Sequence, residues 1–147
     1  MQYRKFGSKY YVRIDRGEEI MSSLKKLCEQ EKISLAEVKA LGAIDDFSVG
    51  LFDVETKKYH ANHFTFPAEI VSLWGTVTAM DGEVYLHIHL SAADSQGHVF
   101  GGHLNSARVS ATCEMIVHDI SEGSTNGFVV GRKFSEEVGL NLFEFVE

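Results

Sequence analysis

The chain has 147 residues, 44% of them hydrophobic and 24% charged, with a formal net charge of −7. That is one domain's length and an ordinary globular composition, and its charge has the wrong sign for gripping a phosphate backbone. No apolar run approaches the roughly 20 residues a membrane span needs, and no repeat or Pro-rich linker divides the chain, so a single domain over 1–147 is expected.

In chain order, the basic N-terminus "MQYRKFGSKYYV" lacks an apolar stretch behind its charges, so no signal peptide is expected. Arg4, Lys5, Lys9, Arg13 and Arg16 gather near this end against Asp15 alone, and read as a solvated edge strand whose charges discourage aggregation. "KYYVRI" (9–14) alternates as a strand. "RGEEIMSSLKKLCEQEK" (16–32) follows as a helix, with Ile20, Leu24, Leu27 and Cys28 on one face and Glu18 and Glu19 placed in the first turn, where the helix dipole favours acids. "SLAEVKAL" (34–41) opens with Ser34 and Glu37 in capping-box spacing, which predicts a second, short helix.

Beyond Gly42 the texture changes to strands over 43–53, 57–64, 69–79, 84–90, 98–104, 109–118 and 128–133, with "GLNLFEFVE" as a last one. Turn signals fall at "MDGE" (80–83), "DSQG" (94–97) and "SEGSTNG" (121–127). The expected class is α+β: a mainly antiparallel sheet with one longer and one short helix near the N-terminus. Cys28 and Cys113 form no CxxC and lie far apart, which fits a reducing cytoplasm; Cys113 falls on the apolar parity of 109–118 as a core residue.

The segment "LHIHLSAADSQGHVFGGHL" (86–104) carries the chemistry. Val84, Leu86, Ile88 and Leu90 share one side of a strand; His87 and His89 share the other, about 7 Å apart at Cα. In the return strand, the register that puts Phe100 and Leu104 on the aliphatic side also puts His103 on the histidine side, directly across from His87 or His89. Three neutral imidazoles suit a divalent metal, zinc above all, and leave a fourth position for water, substrate or another side chain. Gly101 and Gly102 are read as space for a ligand or another chain beside that site. His98 falls in the turn and is not expected to join; of His60 and His63, at most one would. Glu114 shares the polar parity of its strand and is the candidate second-layer acceptor, fourth ligand or general base, with a plain solvated glutamate as the alternative.

The runs "AEIVSLWGTV" (68–77), "LHIHL" (86–90), "GHVFGGHL" (97–104) and "TCEMIV" (112–117), with the opening "VRIDRGEEIMSSLKKLCEQEKI" and "LGAIDDFSVGLFD", resemble the PPC domain. That domain occurs in plant AT-hook nuclear proteins and alone in many bacterial and archaeal proteins. The resemblance implies an α+β fold, a homotrimer, and a zinc or other divalent metal on His87, His89 and His103, with Glu114 at the family's glutamate. The DNA-binding description that travels with the family depends on an AT-hook, whose R-G-R-P core enters the minor groove. Here Gly-Arg occurs only at Gly131–Arg132 without the rest, so direct DNA binding is not expected. Two function classes follow: a metal-binding, trimeric interaction or regulatory module, which is favoured, and a metal-dependent hydrolase or lyase, for which no nucleophile motif or phosphate-binding fingerprint speaks.

Overall fold

The computed structural model describes residues 1–121 and 129–146. Among them the order is β1 (Gln2–Phe6), β2 (Lys9–Asp15), α1 (Ile20–Glu31), β3 (Ala36–Asp53), β4 (Lys58–Phe64), β5 (Ala68–Met80), β6 (Glu83–Ala93), β7 (Val99–Asp119), β8 (Val129–Ser135) and β9 (Leu140–Val146). The sheet is antiparallel apart from a single parallel contact, Ala79 with Gly131. Most of the turn expected at 121–127 lies outside the described residues.

The helix α1 forms where its apolar face predicts, burying Ile20, Leu24, Leu27 and Cys28. The two acids before it do not occupy its first turn. Glu19 is the N-cap, and its carboxylate accepts the Met21 and Ser22 N–H groups, satisfying donors the helix cannot. The same carboxylate accepts the Ala107 N–H from β7 at 3.1 Å, which fastens the helix start to the sheet. Glu18 instead accepts the Asp15 N–H and binds the N-terminal ammonium of Met1.

No helix forms over 34–41, which corrects the capping-box reading of that segment. From Ala36 the chain is strand β3, hydrogen-bonded on one edge to β5 and on the other to β7. Ala36 and Val38 are buried while Glu37 and Lys39 turn away, a period of two. An isolated eight-residue helix is marginal in water, whereas a strand with neighbours on both edges satisfies every backbone group.

β7 is also longer than expected, a single strand in place of the two read over 98–104 and 109–118. The alternation breaks because the pairing with β3 slips between Ser48 with Ser106 and Val49 with Leu104. The extra residue, Asn105, is a bulge that switches the buried parity from Leu104 to Ala107, Val109 and Cys113.

β3 pairs with β5, β5 with β6, β6 with β7, and β7 again with β3, so these four strands close a circuit. Ile88, Leu90, Leu104, Phe47, Leu73 and Val77 fill its inside. The alternate residues of β6 and the start of β7 face outward, and that outer face positions the site.

Candidate metal centre

His87 and His89 lie on the outer side of β6, opposite the buried Ile88 and Leu90. Asp81 and Gly82 supply the two positive φ angles of the tight turn that starts β6, and Gly97 with the Asp94 side chain shapes the turn that ends it. The return strand pairs Leu90 with Gly102 and His89 with His103, a register with the parity that hydrophobic alternation selects. Three imidazoles therefore converge, with candidate ligand nitrogens all within 4.8 Å of one another. The Nε2 atoms of His87 and His89 are 3.3 Å apart. Two nitrogens each about 2.0–2.1 Å from one tetrahedral ion would be separated by about 3.3 Å, so this pair fits such an ion.

Close strand packing holds the cluster. A Cβ on Gly75 of β5 would meet the His87 carbonyl at 2.2 Å, and one on Gly101 would meet the Leu90 carbonyl at 2.5 Å. A Cβ on Gly102 would meet the Gly50 carbonyl of β3 at 2.6 Å. Gly101 and Gly102 thus do not leave room for a ligand or a second chain; they let β6, β7 and β3 approach one another under the histidines. The bulge at Asn105 adds a support: its amide oxygen accepts the Tyr59 hydroxyl at 2.8 Å, and the Tyr59 ring meets His103 edge-on at 6.2 Å between centroids.

Burial pushes the His87 imidazole down to about 4, helped by the positive charge of Arg132 and then by His103 and His89. His103 is lowered as well, by burial first and then by His89. Both rings are consequently neutral at pH 7, with a lone pair free to bind a cation.

Glu114 is not brought to the cluster within this chain. It lies eleven positions beyond His103 on the same strand, about 36 Å along an extended backbone, opposite Arg13 and Leu41. There it lines a surface groove with Tyr3, Phe6, Tyr11 and Leu41. His63 pairs with Asp46 at 2.9 Å and His98 with Asp94 at 3.1 Å, and neither joins the centre; nor does His60. Cys28 and Cys113 are buried free thiols, each pushed up to about 12 chiefly by that burial.

Sequence reasoning missed three neighbours. Trp74 pairs with His89 and Thr76 with His87 across β5 and β6, and Arg132 reaches Thr76 from β8. The first two share one parity of "LWGTVT", a signal that becomes readable once β5 is paired with β6. Arg132, followed directly by Lys133, has no local signal that sets it apart.

Comparison with known proteins adds five findings. The family model of the Plants and Prokaryotes Conserved (PCC) domain matches residues 1–121. A protein of Bacteroides thetaiotaomicron named as a candidate DNA-binding protein is 32% identical, with a TM-score of 0.91, over 98% of this chain and 96% of that one. A metal-containing protein of Archaeoglobus fulgidus is 32% identical (TM-score 0.83; 98% and 99% covered), and a plant- and prokaryote-conserved protein of Pyrococcus horikoshii is 30% identical (TM-score 0.84; 99% and 96% covered). Among curated proteins, the bifunctional protein GlmU of Synechococcus sp. is 29% identical over 115 residues, so this chain spans 17% of that relative's length.

Proposed function

The chain belongs to the Plants and Prokaryotes Conserved family, and on that premise we propose that it is a metal-binding, homotrimeric module that holds a divalent cation, zinc by preference, on His87, His89 and His103. The observation that carries the reading is the convergence of three imidazoles, two of them already at tetrahedral N···N spacing. The metal-containing Archaeoglobus protein, similar over almost its whole length, supports it. Imidazole nitrogens suit zinc better than magnesium or calcium, which take oxygen ligands.

The trimer is supported by outward apolar side chains beside the cluster. Trp74, directly across from His89, is 55% exposed, and Val99 farther along β7 is exposed too, surface that a second copy would cover. A cyclic trimer would repeat the histidine centre three times near its subunit boundaries. Two buried, unpaired cysteines suit a reducing cytoplasm. The second reading, a metal-dependent hydrolase or lyase, draws on one feature: three protein ligands leave a coordination position open, and a bound metal would supply Lewis acidity there. No carboxylate among the described residues hydrogen-bonds any of the three rings to serve as a base, so the module is preferred.

The test is metal analysis of protein produced without a polyhistidine tag. One equivalent of zinc or another transition metal per chain is expected, lost in the His87→Ala/His89→Ala double variant. Metal-free protein that also fails to take up zinc or cobalt on addition would refute the reading.

A further inference from the structure

Arg132 is a nearly buried cation, 8% exposed, with no carboxylate among the described residues within ion-pairing distance. It sits on the outer face of β5 and β6, the face that carries the histidines. Its Nε donates to Thr78 Oγ1 at 3.1 Å, its Nη2 to Thr76 Oγ1 at 3.3 Å, and its Nη1 to the Asn141 carbonyl at 3.0 Å. Tyr85 and Phe143 pack against it, with ring centroids 4.9 and 4.2 Å from the guanidinium carbon.

The direction of the group follows from register. Thr78 pairs with Tyr85 and Thr76 with His87, so the guanidinium runs from its Nε end towards the histidine row. Directly opposed residues lie about 4.5–5.5 Å apart at Cβ, which puts the Nη2 end one side chain from His87. Three of the five N–H donors bond described residues, and among the described residues no partner meets the other two. A desolvated cation whose charge has no nearby carboxylate is costly unless something negative meets it.

We propose that Arg132 is the anion-recognition residue of the histidine centre. The ligand class is a small oxyanion, a carboxylate or phosphate group. It would set one oxygen towards the histidine-held cation and another on the guanidinium, the charge-assisted pairing arginine makes best. This inference rests on the metal reading above and deepens it by naming what the open position receives. The aromatic packing and threonine bonds fix the fork in place before the ligand arrives, which cuts the ordering cost of binding.

A purely structural Arg132 would fasten the β8–β9 hairpin, which meets β5 at one residue pair, and would have no bearing on anions. The experiment separates these roles. Wild-type protein, Arg132→Met and Arg132→Lys are loaded with cobalt, freed of excess metal, and titrated separately with acetate and inorganic phosphate while the visible absorption of the cobalt is followed. Wild type is expected to respond to at least one anion, and the stronger of the two identifies the group. Arg132→Met is expected to take up cobalt normally but bind that anion at least tenfold more weakly, with Arg132→Lys in between. If Arg132→Met does not fold, Arg132→Lys decides, because a guanidinium fork bonds an oxyanion at two points and an ammonium at one. Equal anion affinity in wild type and the folded variants, or cobalt-loaded wild type indifferent to both anions, overturns the proposal while leaving the metal centre intact. Failure of the wild type to bind cobalt overturns the metal reading and this inference together.

Discussion

Gly75→Ala tests whether close approach of β5 and β6 builds the site. The new Cβ would stand 2.2 Å from the His87 carbonyl oxygen, 2.6 Å from Ile88 Cδ1 and 2.7 Å from Ile88 Cα. Two of the three obstacles bring in backbone, so a rotamer change does not relieve the clash. Real Cβ contacts essentially never fall below 3.0 Å, so the 2.2 Å approach must open by at least 0.8 Å at His87. Overpacking of this kind costs about 1–3 kcal/mol. At about 2–4 °C per kcal/mol for a domain of this size, the melting temperature should fall by roughly 2–12 °C. The residue displaced is a proposed ligand, so cobalt affinity should fall with stability. Gly131→Ala is the control: its Cβ would meet the Ala79 carbonyl at 3.6 Å, an ordinary contact, and should change stability by about 0.5 kcal/mol or less. Thermal denaturation and cobalt titration of both variants measure this. A Gly75→Ala protein that melts with wild type and binds cobalt equally would refute the strand-spacing argument.

Single replacements His87→Ala, His89→Ala and His103→Ala should each weaken metal binding by more than the roughly 10–100-fold that losing an outer-layer partner costs, with circular dichroism unchanged; undiminished metal in all three would remove the ligand assignment. In metal-free protein the unfolded His87 imidazole takes a proton near 6.5 and the folded one at about 4. The unfolded state therefore gains protons first, and stability should be full at pH 7 and decline as pH falls from 6.5 towards 4. Urea midpoints at pH 7 and pH 4.5 should move less in His87→Ala than in wild type, and an equal shift would assign the decline to other groups. Sedimentation at micromolar concentration should give three times the 16.4 kDa of one chain, and a monomer mass would exclude the trimer. With a net charge of −7 and no AT-hook core, the protein should leave duplex DNA unshifted at physiological salt, an expectation that sequence-dependent binding there would overturn.

The parity of β6, the turns at 80–83 and 94–97, the face of α1 and the placing of His103 across from one of His87 and His89 were legible from residues alone; which of the two it meets, His89, is a matter of the exact register. Each depends on neighbours close in sequence: a period of two, a tight turn, or a hairpin whose register is held by which side chains must be buried. Local signals failed where distant strands decide. Residues 34–41 carry a helix start and a strand alternation together, and β5 and β7 on its two edges resolve the conflict. The bulge at Asn105 left no mark distinguishable from a strand end, because it is defined by the slip of β7 against β3. Glu114 shared the right parity, yet parity fixes only which side of its own strand a residue occupies; position along β7 carried it away from the histidines. Arg132 shows the reverse. Nothing within reach of it in sequence predicts that β8 delivers its guanidinium to Thr76, beside His87. Alternation and turn chemistry act over a few residues and are written in the sequence, whereas the sequence-distant neighbours of an edge or a face are chosen by the closing of the whole sheet.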